Sequence, residues 1–255
     1  MSGNEVKRHI TRRLGYKNDQ QGIINRYLRE MGQWDSHLWR CRKYILDSVD
    51  LHKPDIITFL GSGWLLDIPL EEAAKKCRKV RLVDVLHPPQ VRHKVSKIDN
   101  VELYSQDITG GALTEIWDAY RKGTAVSSME MPVYDPGFEA GLVFSVNILT
   151  QLDSLPVDYL VRKGGMSYKE LRLLRKNMQR AHTRYLKAVD SVLITDYVEY
   201  LKTEDEIVAD NKLVFCSLPE GKRVEEWIWE FDNSGNYYSG KRVIFGVKAL
   251  DLVKE

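Results

Sequence analysis

The chain has 255 residues, 43% hydrophobic and 29% charged, which suits a globular protein of one large α/β domain with a cap. A formal net charge of +2 provides no global attraction for nucleic acid. Three cysteines, Cys41, Cys77 and Cys216, stand far apart without CxxC or zinc spacing, which excludes a disulfide framework and predicts reduced thiols in a cytoplasmic protein; no signal peptide is read, and no apolar run approaches the roughly 18 residues that span a bilayer.

In chain order, residues 1–16 read as a basic, poorly packed arm. Residues 20–49 read as one or two helices, with Ile23, Tyr27, Leu28, Met31, Trp34, Leu38, Cys41 and Ile45 at helical spacings and Gly32 as a breaker. Lys53-Pro54 ends that cap. Residues 56–60 form a continuous apolar strand, 67–77 a crossover helix and 80–85 a second strand, stopped by His87-Pro88-Pro89. A third strand covers 101–104 and a helix 112–121. Residues 123–141, with their Gly and Pro, read as a loop on the side away from the site. A fourth strand covers 142–146, a helix 167–188 and a fifth strand 191–195. Residues 213–217, 226–231 and 242–249 alternate at period 2, and Asp232-Asn233-Ser234-Gly235-Asn236 is turn chemistry. The expected fold is α/β: a doubly wound, mostly parallel seven-stranded sheet with a C-terminal antiparallel hairpin and an N-terminal helical cap. The expected units are 1–52, arm and cap, and 53–255, the sheet domain.

Residues 55–63 (Asp-Ile-Ile-Thr-Phe-Leu-Gly-Ser-Gly) carry the chemistry. An apolar strand runs into Gly61-Ser62-Gly63, a helical pattern follows, and a second apolar strand ends at Asp84, about 20 residues past the turn. Glycines let backbone approach a ligand, and a carboxylate ending the second strand can accept from two ribose hydroxyls. A dinucleotide fingerprint wants a small residue where Leu66 stands, and no Gly-Lys-Ser/Thr follows, which excludes a triphosphate P-loop. S-adenosylmethionine (SAM), with an amino acid in place of phosphates, suits such a turn.

With those residues the chain resembles the class I SAM-dependent methyltransferases from Asp55 onward. The resemblance implies that Gly61 and Gly63, with Ser62 between them, hold the methionine part. It implies that Asp84, beside Val85, holds the ribose and that Asp107, beside Ile108, holds the adenine amino group. Ser145-Val146-Asn147 would then form the face of the sulfonium toward substrate. The chain departs from the family in lacking an acid just before the turn and a third glycine, and the segment Ser145-Val146-Asn147-Ile148 is not the Asn/Asp-Pro-Pro-aromatic motif of amino-methylating nucleic-acid enzymes.

The implied activity is methyl transfer from SAM to a small-molecule acceptor. A catalytically inactive SAM-fold binding protein and a nucleic-acid methyltransferase are the alternatives. Nucleic acid is the disfavoured partner: residues 162–190 carry nine basic residues against two acids, but an apolar stripe (Leu171, Leu174, Met178, Ala181, Tyr185, Ala188) makes the basic residues the solvated face of a helix. His37 and Asn147 are the expected catalytic residues, His37 because an imidazole can take a proton from an acceptor near neutral pH. His182 reads as structural. His87 and His93 lack a third ligand at suitable spacing, so no metal site is expected.

Overall fold

The computed structural model describes residues 8–126, 129–164, 166–203 and 206–254; residues 1–7 of the arm lie outside them. Three helices lead: α1 (Arg8–Leu14), α2 (Tyr16–Arg29) and α3 (Asp35–His52). Strands and helices then alternate: β1 (Ile56–Leu60), α4 (Leu70–Lys76), β2 (Lys79–Asp84), α5 (Pro89–Val95), β3 (Val101–Ser105), α6 (Ala112–Lys122), β4 (Leu142–Val146), α7 (Ser154–Lys163), α8 (Tyr168–Ala188) and β5 (Ser191–Lys202). Three strands close the chain: β6 (Ile207–Lys212), β7 (Lys222–Asp232) and β8 (Arg242–Asp251).

The sheet runs β3-β2-β1-β4-β5-β8-β7, with β6 paired to β5 off that path. β3, β2, β1, β4 and β5 are parallel, and β8 is antiparallel to both β5 and β7. Every residue of β1 and β4 is buried, as a central strand covered on both faces requires. Their side chains alternate between two layers. Ile57, Phe59, Val80, Leu82 and Phe144 pack toward α3 with Leu38, Cys41 and Ile45. Leu60, Val83, Val143 and Leu193 pack on the other face with Tyr185 and Leu186 of α8. At Gly141, φ is +62° and a Cβ would lie 2.0 Å from the carbonyl oxygen of Ile56, so the entry to β4 admits only glycine.

The seven strands on the path are the expected ones, and the differences have local causes. Residues 8–16 are not a loose arm: α1 buries Ile10 and Leu14 against Leu113, beside Trp117 and Tyr159. Two further short helices, α5 and α7, form where no helix is predicted; Pro89 begins α5, because its missing N–H costs nothing in a first turn. The crossover helix starts at Leu70 rather than 67, since Pro69 sits at the cap. The strand expected at 213–217 is absent. β5 overruns its parallel partners, and its overhang pairs with β6, while the Phe215 amide bonds to Gln179 Oε1 at 2.7 Å instead of to a ladder. The loop 123–141 is not remote from the site. Tyr134 donates to Gln106 Oε1 at 2.5 Å, Gln106 Nε2 donates to the Pro136 carbonyl at 3.2 Å, and Val133 packs on Gly110.

Candidate cofactor cleft

The C-terminal ends of β1, β2, β3 and β4 are where an open α/β sheet binds ligands. β1 ends in Gly61, whose amide donates to the Val83 carbonyl at 2.9 Å, so the turn is tied to β2. Gly63 donates its amide to Asp84 Oδ2 at 2.8 Å, and Leu86 donates to Oδ1 at 3.1 Å. The glycine turn and the acid after β2 thus meet as the spacing implies. Burial raises the carboxyl of Asp84, and the Gly63 and Leu86 amides offset it in part. Each of its oxygens keeps a second lone-pair site for a hydroxyl donor. Val85 packs its side chain against the α1 cluster.

At the end of β3, Asp107 Oδ1 accepts from the Thr109 amide at 2.9 Å and hydroxyl at 2.5 Å, closing its own turn. Its Oδ2 is buried without a hydrogen bond of normal geometry, the Gly111 and Leu113 amides lowering the carboxyl from nearby, and Ser62 Oγ and Asn147 Oδ1 are buried without a partner. Three edge positions at the ends of β1, β3 and β4 therefore each carry one unsatisfied polar atom, and buried polar atoms are ordinarily paired. Ile108 is core, packed with Leu60, Val83 and Leu149. Ser145 is turned from the cleft: its hydroxyl meets His182 Nε2 at 2.8 Å beneath α8, and Val146 packs in the opposite layer. Their side chains belong to the core, which corrects the expectation that they face a cofactor. Burial pushes His182 down to about 4, so it stays neutral, as a structural histidine should.

The glycine at 61 has a protein reason. Its φ is +72°, and a Cβ would lie 2.6–2.8 Å from three atoms of Ile148, so the residue after Asn147 occupies the space that the missing side chain leaves. Asn147 itself has φ of 50°, a strained conformation for a residue with a side chain. Its Nδ2 donates to Asp67 Oδ2 at 2.8 Å and lies 3.2 Å from His37 Nε2.

His37 is brought to the cleft, but as a packed ring. It is 1% exposed, stacked on Trp229 at 4.0 Å and 5°, and its Nδ1 accepts from Trp227 Nε1 at 3.0 Å. Burial pushes its pKa down to about 3, which penalises the protonated ring and disfavours the expected role as proton acceptor. α3 lies on the face of the sheet; α2 crosses its C-terminal edge. Gln20 Nε2 donates to the Leu86 carbonyl at 2.7 Å, Trp64 Nε1 donates to the Gln20 carbonyl at 2.8 Å, and Arg29 pairs with Asp232 at 3.4 Å. The phenol of the half-buried Tyr16 is raised by desolvation and then by the charges of Asp107 and Asp84. Sequence reasoning missed Tyr16, Gln20 and Asp67. No local pattern marks them, since each acts on a residue distant in the chain. Among the described residues no group of three or more His, Cys, Asp or Glu could hold a metal.

No family model and no curated protein matches the sequence. Solved structures similar to it include the methyltransferase domain of bacterial CtHen1-CN, at 9% identity over 83% of this chain and 97% of that one, TM-score 0.35. They also include the N-methyltransferase NodS from Bradyrhizobium japonicum WM9 in complex with S-adenosyl-L-homocysteine (SAH), at 11% identity over 84% of each chain, TM-score 0.33. The DhpI–SAH complex is similar at 10% identity over 95% of this chain and 96% of that one, TM-score 0.36. At such scores the fold of this chain rests on its own strand order. Five parallel strands in the order 3-2-1-4-5, closed by an antiparallel pair, make it the Rossmann-like fold of class I methyltransferases.

Proposed function

We propose that this protein is a SAM-dependent methyltransferase acting on a small molecule. The carrying observation is the set of polar atoms at the strand ends: Ser62 Oγ, Asp107 Oδ2 and Asn147 Oδ1, buried and unpaired, around an Asp84 carboxylate with spare acceptor capacity. The acceptor set fits adenosine. Asp84 would accept from the ribose hydroxyls, and Asp107 Oδ2 from the adenine amino group. SAM supplies a methyl group activated by its sulfonium. The protein contributes orientation and exclusion of water. The roof of α1 and α2 over the strand ends suits an acceptor that fits beneath it rather than a long polymer. With His37 neutral and packed, any proton leaving the acceptor goes to another group.

Titration calorimetry with SAM, SAH and NAD tests the cofactor. SAM or SAH should bind more tightly than NAD, and Asp84→Ala should weaken SAM by about 1.5–3 kcal/mol, the range for hydrogen bonds to a charged group. Tighter binding of NAD would refute the reading. Ile148 against Gly61 favours one second reading, a SAM-fold binding protein without turnover, because a protein side chain crowds the turn that would hold the methionine part. SAM bound by the protein but never converted to SAH, across a panel of amine, hydroxyl and thiol acceptors, would favour it.

A further inference from the structure

Asp67 lies in the connection between β1 and α4; its carboxylate accepts from Asn147 Nδ2 at 2.8 Å and is further met by its own backbone amide. The amide it holds has another neighbour with the opposite demand. Trp227 Nε1 can only donate, so His37 Nδ1 accepts, and the proton of the neutral ring resides on Nε2. Nε2–H then faces Nδ2 of Asn147 at 3.2 Å, donor toward donor. Cys41 Sγ, 3.6 Å from Nε2 and 3.8 Å from Nδ2, is the weak acceptor left to both. His37 alone would prefer the Asn147 amide turned over, with Oδ1 receiving Nε2–H. Burial raises the Asp67 carboxyl, and the Asn147 amide, its own backbone amide and the Arg42 charge offset that in part; in the ionised form the carboxylate accepts only, so Asp67 demands Nδ2 and overrules the histidine. Oδ1 is thereby left at the far end of the amide, buried and unpaired, on a residue 6% exposed at the end of β4.

We infer that Asp67 is a positioning residue that keeps the Asn147 carbonyl oxygen directed at the cofactor cleft, so that the site favours the positively charged sulfonium of SAM relative to the neutral thioether of SAH. The inference rests on the SAM reading above. A carbonyl oxygen presents the negative end of its dipole to a cation; the turned-over amide presents N–H and repels it. The left-handed backbone at Asn147 and the packing of Ile148 on Gly61 hold the Cα in place, so the choice lies in the side-chain orientation alone. Because only an acceptor is needed at position 67, asparagine should serve there and alanine should not.

The test is calorimetric titration of SAM and SAH into the full chain and its variants, with thermal unfolding to confirm that each is folded. Asp67→Ala should weaken SAM by about tenfold more than it weakens SAH, the scale of one hydrogen bond to a charged group. Asp67→Asn should keep the native ratio within about threefold, since its carbonyl can still accept from Nδ2. Asn147→Gly, which relieves the positive φ and deletes the amide, should reproduce the Asp67→Ala shift and covers the case in which Asp67→Ala does not fold. Equal weakening of both ligands in Asp67→Ala and Asn147→Gly, or loss in Asp67→Asn as large as in Asp67→Ala, would overturn the role of Asp67. Binding of neither ligand by the native chain would overturn the SAM reading instead.

Discussion

Trp227 donates its indole N–H to Nδ1 of His37 at 3.0 Å, joining β7 to the first turn of α3. The bond fixes the tautomer of a ring that is otherwise defined by stacking on Trp229, and burial holds that ring uncharged. A residue type that suggests proton transfer in sequence is here part of the packing that carries Asn147.

Three buried histidines, His37, His87 and His182, all depressed by burial, make the protein acid-sensitive. His37 and His182 are depressed to about 3 and about 4, so each contributes stability that is present above the unfolded pKa of about 6.5 and is lost as pH falls toward the folded value. Asp153 and Asp196, raised to about 7 and about 6, act with the opposite sign: folding penalises their charged forms at high pH, and the penalty fades as they protonate. Comparison with a variant therefore isolates one group. Between pH 6.5 and 4, His182→Gln should lose less stability than the native chain, by on the order of 2–3 kcal/mol in denaturant titrations. Parallel curves would refute the buried neutral imidazole.

Gly61→Ala should cost about 1–3 kcal/mol without any ligand, because the new methyl meets Ile148 and the backbone is left-handed. Ile148→Ala in the same chain should relieve the part due to overlap. If Gly61→Ala keeps native stability and only cofactor affinity falls, the glycine is there for the ligand rather than for Ile148.

Trp34 is 2% exposed, lies edge-on to Trp229 at 4.9 Å, stacks on Phe231 at 5.5 Å and donates to the Phe231 carbonyl at 3.0 Å. It therefore joins the cap to the hairpin core. Trp34→Ala should lower unfolding free energy by about 3–5 kcal/mol, read as a lower denaturant midpoint at constant slope. For the same reason, removal of residues 1–49 should leave an unfolded chain; a folded, SAM-binding remainder would show that α3 is a detachable cap.

Above β2 the roof is tied through Gln20. Gln20→Ala removes one tie, to the Leu86 carbonyl, and leaves the sheet untouched. Amides of α1 and α2 should then exchange about fivefold faster with solvent, the equivalent of about 1 kcal/mol, while β1 and β4 amides keep their native rates. Unchanged rates in α2 would mean that the roof is held by other contacts.

What sequence determined by itself lies in local, periodic chemistry. The fully apolar runs at β1 and β4 declare buried parallel strands, the alternating Trp227, Trp229 and Phe231 declare a one-sided strand, and Ser167 with Glu170 builds the capping box that starts α8 where the pattern places it. The spacing of Gly63 and Asp84 was legible too, since a β-α-β unit of that length brings its two strand ends together. Tertiary structure alone decided which way each polar side chain faces. Ser145 and Asn147 are two residues apart at the end of β4, yet one hydroxyl turns under α8 to His182 while the other residue, in a left-handed conformation, is held by Asp67 against the demand of His37. The placement of α2 over the strand ends, the side-chain tie that keeps 213–217 from pairing as a strand and the burial that neutralises His37 all depend on partners 30 or more residues away. Periodicity reports which face of an element is buried; it carries no information on which distant group meets that face, and in this cleft those meetings set the charge, the tautomer and the orientation of the amide.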